Sequence, residues 1–321
     1  MDMITIGDVK LDTFVVLDEA SAQCELKMPD SKLCLDYGGK ISVNVVDSQM
    51  AGSAPNVAVG LARMGYKTAV ISNMGADGTR ALTLSRFKDE GVSSKYIRVV
   101  KDQPSAYSVV INYKGDRTIL ASQTQKAYRL PKIGRTKWLY VSEMGPGYEL
   151  LYREVTAYVK RTGALLGFNP GTIQIREKKK FLFDLIKHTA VLFVNVEEAQ
   201  ALVETSEREI HHLAAALWKF GPGHVVITDG KNGAYGFDGK NLTHCPIIPA
   251  KPVDPTGAGD AFATGFIGAR MAGVDAEEAL RYGVTNSASV VGHVGPQPGL
   301  LSLTQIRSRL KKHTSIKPVH I

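Results

Sequence analysis

The residues with the clearest capacity for chemistry are Asp254, Pro255, Thr256, Gly257, Ala258, Gly259 and Asp260, which run directly into a small, apolar, proline-free segment at 261–272. Pro255 fixes its own φ and biases Asp254 toward extended backbone, whereas Gly257 and Gly259 open conformations that a side chain forbids. A helix beginning at about Gly257 presents unpaired backbone N–H groups and the positive end of its dipole. That is a site for an anion. Asp260 sets a carboxylate into the same turn, where two roles are open to it. It can complement the dipole as a helix-start acid, or it can take the proton of a hydroxyl attacking a phosphate held on the amides of Gly257, Ala258 and Gly259. An aspartate of ordinary pKa, about 4, suffices for the second role. A loose phosphoryl-transfer transition state asks mainly for alignment and charge neutralisation, with proton removal late.

The stretch 254–266, DPTGAGDAFATGF, resembles the C-terminal signature of the ribokinase-like (PfkB) family of sugar and nucleoside kinases. The resemblance implies transfer of the ATP γ-phosphoryl group to a substrate hydroxyl, with Asp260 as general base and Gly257, Ala258 and Gly259 as anion hole. Further matches run from residue 7 to about 299. Residues 3–7 form an apolar run ending in glycine, a first buried strand with Asp8 and Asp12 beyond its carboxyl end, where open parallel sheets bind ligands. By spacing alone both acids can be ordinary turn residues. The family's Gly-acidic-x-x-x-Asp implies that Asp12 grips sugar hydroxyls. AGSAPNVAVGLARMG at 51–65 reads as a turn, a capping Ser53 and a helix, and it is similar to the family's N-terminal signature, in which Gly52 and Asn56 approach the sugar. Ala51 stands where the family usually has a second glycine, and its methyl narrows that pocket. Asp77, in a displaced Gly-x-Asp-x-x-Gly, reads as structural.

Asn195, Val196, Glu197 and Glu198 follow another apolar run, and a helix-start pair of acids accounts for them. Their resemblance to the family's Asn-x-x-Glu implies that Asn195 and Glu198 hold the hydration shell of Mg²⁺, an indirect hold that suits an ion reluctant to lose water. Thr228, Asp229, Gly230 and Gly233 mean by themselves only a turn; they resemble the family's nucleotide-side Thr-x-Gly-x-x-Gly, which makes Thr228, Gly230 and Gly233 nucleotide-binding residues. The small residues of a helix at 276–291 suit an adenine ring or close helix packing equally well. The family's adenine pocket and monovalent-cation loop put Asn286 on the nucleotide and Asp254 and Thr256 at an optional K⁺. Asn169 alone survives of an Asp-x-Asn-x-Arg pattern.

These groups need a scaffold that brings strand ends together. Apolar runs at 138–141, 164–168, 191–195 and 225–228 alternate with helical patterns such as 149–161 and a segment capped by Ser206-x-x-Glu209. The expected fold is α/β: a doubly wound, mostly parallel central sheet flanked by helices. Two strand-rich inserts, 13–50 and 107–120, break the alternation, with strands expected at 24–28 and 33–35 and a turn at Lys114, Gly115 and Asp116. They predict a small separate sheet, whose family counterpart is a lid that excludes water. The organisation expected is thus 1–12, 51–106 and 121–321 as the α/β domain, with 13–50 and 107–120 as the β lid. Family lids often pair between subunits, and Phe14, Val16, Leu35, Val43 and Val45 offer apolar positions for a homodimer.

Composition narrows the class further. The net charge of +8 over 321 residues is scattered, with short clusters only at 178–180 and 307–312; solvated helix faces explain it better than a nucleic-acid stripe. Neither a P-loop nor a protein-kinase motif is present. Three cysteines, Cys24, Cys34 and Cys245, lack metal-like spacing and are odd in number. With no leader-like start and no apolar segment of about 18 residues, the expectation is a cytoplasmic protein without membrane or nucleic-acid partners. The function expected is an ATP- and Mg²⁺-dependent kinase of a small sugar. A nucleoside is the alternative acceptor, and a phosphosugar, met by Lys114 and Arg117, is a third. A sugar- or nucleotide-sensing binding protein keeps the same fold, but it has no need of Asp260.

Overall fold

The computed structural model describes residues 1–17, 33–35, 37–113, 116–122 and 127–321. In chain order its first elements are β1 (Met3–Ile6), β2 (Lys10–Leu17), β3 (Val43–Ala51), α1 (Ser53–Arg63), β4 (Thr68–Met74) and α2 (Gly78–Asp89). Then come β5 (Ser93–Val99), β6 (Ala106–Tyr113), β7 (Asp116–Ser122), β8 (Trp138–Val141), α3 (Glu149–Thr162), β9 (Leu165–Phe168), α4 (Thr172–Glu177) and α5 (Lys180–Ile186). The remainder is β10 (Val191–Asn195), α6 (Val196–Val203), α7 (Ile210–Trp218), β11 (His224–Thr228), β12 (Ala234–Phe237) and β13 (Leu242–Cys245), followed by α8 (Ala258–Met271), α9 (Ala276–Val290), α10 (Leu303–Lys312) and β14 (Val319–His320).

A ten-stranded sheet has the order β14-β13-β12-β11-β10-β9-β8-β1-β4-β5. From β11 to β5 all neighbours are parallel, and β12, β13 and β14 add an antiparallel edge. Successive side chains of a strand point to opposite faces, so a sheet covered on both faces needs strands that are apolar throughout. That is what the sequence shows. Ile4, Leu139, Leu192 and Val225 join one core with α3 and α7, while Met3, Tyr140, Phe193 and Val226 join the other with α1, α8 and α9. The expected doubly wound α/β fold is present.

The second sheet has four strands in the order β3-β2-β6-β7. β2 already begins at Lys10, so Lys10 and Asp12 point to one face of a strand, two residues apart. The pairing of β2 with β3 shifts register between Phe14 and Val15. The strand expected at 24–28 and the residues Lys114 and Gly115 lie outside the described residues, and 33–35 is irregular rather than a strand. Phe14 is fully buried and unavailable for pairing between subunits, whereas Val16, Val43 and Val45 are exposed, the last at 64%. No helix among the described residues is long and apolar enough to cross a membrane.

Two expected caps take a different form. Gly52 is the N-cap of α1 and Ser53 its first helical residue, because the chain enters at φ 112°, which only glycine adopts without strain. Ser206 does not cap α7; Glu209 does, its carboxylate accepting from the N–H groups of His211 and His212. Glutamate's longer arm reaches both donors.

The approach of α8 to α9 sets where the anion turn sits. A Cβ on Gly265 would collide with the Tyr282 carbonyl oxygen, and one on Gly283 would lie 2.7 Å from the Phe262 ring. Gly265→Ala should therefore destabilise the fold by about 1–3 kcal/mol through overpacking, outweighing the roughly 1 kcal/mol that alanine gains in helix propensity. Urea denaturation reads the difference; a more stable Gly265→Ala variant would show that the two helices can part freely.

Candidate active site

The anion turn closes as its glycines require. Gly257 caps α8 at φ 77°, and a Cβ there would collide with Pro296. Around Gly259 the space is open, and a Cβ there would meet nothing within 4 Å. The N–H of Ala258 donates to the Pro255 carbonyl at 3.2 Å, so the amides of Gly257 and Gly259 are the better-placed members of the expected anion hole. One turn on, Asp260 is partly buried, and its Oδ2 accepts from Asn56 Nδ2 at 2.8 Å. Burial pushes its carboxyl up to about 6; hydrogen bonds from Asn56 and Ser53 pull it down, Glu143 pushes it up and Lys10 opposes that. Near neutral pH it is an ionised base of useful strength.

The substrate side is built from β2, the start of α1 and the loop after β8. Asp12 is 3% exposed and one of its carboxylate oxygens has no hydrogen-bond partner among the described residues. Burial raises its pKa, with Lys10 opposing. A buried unpartnered acceptor costs free energy that an incoming hydroxyl would recover. Asp8, by contrast, is engaged: Tyr128 OH donates to both its oxygens at 2.7 and 2.9 Å and the Gly145 N–H to one at 2.8 Å. Lys10 Nζ donates to Glu143 Oε1 at 2.8 Å. Burial pulls the ammonium's pKa down, but Glu143, Asp12 and Asp260 together outweigh it and raise the pKa, so Lys10 stays charged. At Gly52 a Cβ would collide with the Asp8 carbonyl oxygen, which holds the start of α1 against β1. Asn56 is buried, with its amide turned to Asp260 rather than wholly to the substrate space.

On the other side of the turn a cleft of about 420 Å³ is lined by Thr228, Gly230, Gly233, Ala258, Gly259 and Ala288 among others. Three of the expected nucleotide residues thus share one cavity with the turn. Its wall also includes Ile248, Phe262 and Val291, apolar surface suited to a flat ring. Asn286, also expected at the nucleotide, does not line this cleft. It is fully buried, with Nδ2 donating to the Ala261 carbonyl at 2.7 Å and Oδ1 accepting from the Leu301 N–H at 2.9 Å. Its helical neighbours Ser287 and Ala288 face the cleft instead.

Asn195 and Glu198 form a reciprocal capping box on α6: Glu198 N–H donates to Asn195 Oδ1 at 2.7 Å and Asn195 N–H to Glu198 Oε2 at 3.0 Å. Glu198 does more than cap, since burial first, with Glu143 and Asp260 adding, pushes its carboxyl up to about 7. No group of three or more His, Cys, Asp or Glu side chains among the described residues could hold a metal ion by itself, so a divalent cation arriving with phosphates would be held beside Glu198 through water. Asp254 is buried; its Oδ1 accepts from the Thr256 N–H at 2.9 Å and hydroxyl at 2.6 Å, and its Oδ2 from the Gly295 N–H at 2.9 Å. A buried carboxylate facing only neutral donors fits a neighbouring monovalent cation.

Four residues were missed by reading motifs. Glu143 lies just past the carboxyl end of β8, so the strand-end rule applied to β1 and β10 would have found it. Lys10 follows from alternation once β2 starts early enough to include it. Lys231, inside the Gly230–Gly233 turn, lines the same cleft as Thr228 and Gly259. Gln297 gave no signal beyond its place in a Gly-Pro-Gln-Pro loop.

Asn286→Ala should cost about 1–3 kcal/mol in urea denaturation, because it leaves the buried Leu301 N–H unpaired and takes a second donor from the Ala261 carbonyl, while KM for ATP stays within about twofold. A large rise in that KM with stability unchanged would return Asn286 to the nucleotide.

Residues 12–302 match the model of the pfkB family of carbohydrate kinases. A nucleoside kinase of Methanocaldococcus jannaschii is 26% identical over 267 residues, covering 82% of this chain and 85% of that one. A 2-dehydro-3-deoxygluconokinase of Bacillus subtilis is 26% identical over 303 residues, covering 88% and 92%. The structure of Arabidopsis thaliana ribokinase complexed with ribose and ATP superposes with a TM-score of 0.79 over 96% of this chain and 98% of that one, at 23% identity. The chain belongs to the pfkB family of carbohydrate kinases.

Proposed function

We propose that this protein transfers the γ-phosphoryl group of ATP to a hydroxyl of a small sugar, with Asp260 as general base. The observation that carries the proposal is the position of Asp260. Its carboxylate stands between the charged cluster of Asp12, Lys10 and Glu143 and a mostly apolar cleft around Gly259, at the helix end where phosphate charge is best held. Asp12 holds the acceptor by its hydroxyls. The amides of Gly257 and Gly259 and the α8 dipole stabilise charge on the transferring group, and Asp260 takes the hydroxyl proton as the new P–O bond forms. Asn195 and Glu198 hold Mg²⁺ through its waters. Held there, Mg²⁺ would supply charge neutralisation for the nucleotide phosphates, which this turn, without a lysine of its own, gives only in part. K⁺ beside Asp254 and Thr256 is an accessory of the same site. A cytoplasmic location fits ATP as the donor.

A nucleoside is the second acceptor the site supports, through the Methanocaldococcus jannaschii relative. A pure binding protein would have no use for a carboxylate of raised pKa inside an anion turn. The small sheet closes over the acceptor as a lid and excludes water, the competing acceptor. Its exposed Val16, Val43 and Val45 pair it with a second copy, giving a homodimer.

The test is ATP consumption across ribose, fructose, 2-keto-3-deoxygluconate, adenosine, inosine and fructose 6-phosphate, with Asp260→Asn beside the wild type. One acceptor should give turnover that Asp260→Asn lowers by at least about 10²-fold with KM for ATP little changed. Equal turnover in the variant would remove Asp260 as base. For the lid, sedimentation equilibrium should show a wild-type dimer and a monomeric Val43→Lys, Val45→Lys double variant. A wild type of monomer mass at micromolar concentration would contradict the pairing.

A further inference from the structure

The loop at 294–299 packs Pro296 against Gly257 of the anion turn, and its one long polar side chain is built into the support of the base. Gln297 is 3% exposed. Its Nε2 donates both to Asn56 Oδ1 and to the Met50 carbonyl, each at 3.0 Å. Met50 belongs to β3, at the root of the small sheet. The Gln297 carbonyl accepts from Arg63 at 2.7 Å, and Arg63 grips Glu90 through two further nitrogens at 2.8 and 2.6 Å. The loop is pinned at its other end too, where the Gly295 N–H donates to Asp254.

An asparagine amide has one donating and one accepting end, and it is the surroundings that decide which end points where. Asn56 lies between Asp260, which can only accept when ionised, and the Gln297 amide nitrogen, which can only donate. Only one orientation satisfies both. A flipped Asn56 would set its carbonyl oxygen against the Asp260 carboxylate and its NH₂ against the NH₂ of Gln297. We infer that Gln297 is a positioning residue for the phosphoryl-transfer reaction: its amide, clamped between the lid-root carbonyl of Met50 and Asn56, holds the Asn56 N–H on the base Asp260.

This inference rests on the kinase reading and deepens it. Other charges also face Asp260: Lys10 from β2, Glu143 beyond β8, Glu198 from α6 and the buried phenol of Tyr140 on β8. The hydrogen-bond partners of the Gln297 amide are Met50 and Asn56 instead, so replacing Gln297 leaves those fields on Asp260 in place and removes only the orientation of Asn56. The tie to Met50 also makes the base sensitive to where the root of the small sheet sits.

The experiment is the pH dependence of kcat for wild type, Gln297→Met, Asn56→Ala and the double variant, on whichever acceptor turns over. Methionine keeps the volume of Gln297, adds no charge and donates nothing. In Gln297→Met the acid limb of kcat should move up by about one pH unit, the size expected when an ionised group loses a good hydrogen bond. At pH 6 the rate should then fall several-fold, while at pH 8.5 it stays near wild type and KM for ATP is unchanged. In the Asn56→Ala background the Gln297→Met change should move the limb no further. A limb that superimposes on wild type, or a shift that persists undiminished without Asn56, overturns the inference. Should Gln297→Met not fold, the wild type answers by NMR: the side-chain amide protons of Asn56 and Gln297 must titrate together with the kinetic limb, and a Gln297 amide that does not follow is equally contrary. The two claims fail differently. An inactive wild type contradicts the kinase reading and the relay with it, whereas an active wild type with an unmoved limb contradicts the relay alone.

Discussion

Keeping Asp260 ionised inside a gap that burial makes hostile to charge is the constraint around which this molecule is arranged. A carboxylate moved out of water tends to take up a proton instead of staying charged. Here four features oppose that: the α8 N-terminus beneath it, the N–H of Asn56, the hydroxyl of Ser53 and the ammonium of Lys10. They come from three separate stretches of chain. Ser53 and Asn56 stand on α1, Lys10 on β2 and Asp260 on α8, so only the docking of α1 between β1 and α8 assembles the set. Glycines make that docking close: a Cβ on Gly60 would crowd Thr264 of α8, and one on Gly268 would collide with Met64. The packing of small residues and the electrostatics of the base are thus one feature.

The arrangement works against stability in a defined pH window. The folded chain binds the Asp260 proton up to about pH 6, whereas the unfolded chain releases it near an ordinary aspartate value of about 4. Between those values the folded state holds more protons, so stability falls as pH rises through the window and is level above it. Glu198 extends the same loss to about pH 7. Sites that concentrate carboxylates for phosphoryl chemistry carry this cost, and a cation arriving with the nucleotide relieves it.

Much of this was legible in the residues. Runs such as Val191–Asn195 are apolar at nearly every position because both faces of a parallel strand are covered, and that pattern by itself points to a doubly wound sheet. The turn at Gly257 was legible because proline and glycine constrain backbone by covalent geometry alone. Contacts between distant segments were not. Nothing local distinguishes Asn286, which braces α8 against the segment at Leu301, from a residue facing the nucleotide one position further round the helix. The Ser206-x-x-Glu209 spacing fits a capping box, but Glu209 reaches the helix donors by itself. Lys10 and Glu143 lie 133 positions apart in the chain and meet only because β1 and β8 are neighbours in the sheet. Gln297 is the extreme case, since its partners Met50, Asn56 and Arg63 all come from the other end of the chain.

The account turns on a single proton-accepting group of raised pKa in the anion turn, and the most direct measurement of it is the pH dependence of single-turnover phosphoryl transfer from Mg²⁺-ATP to a saturating acceptor in the wild type. The rate should fall on the acid side with one inflection near pH 6, tenfold per unit below it. A rate that stays level down to the ordinary aspartate range, about pH 4, would contradict the account.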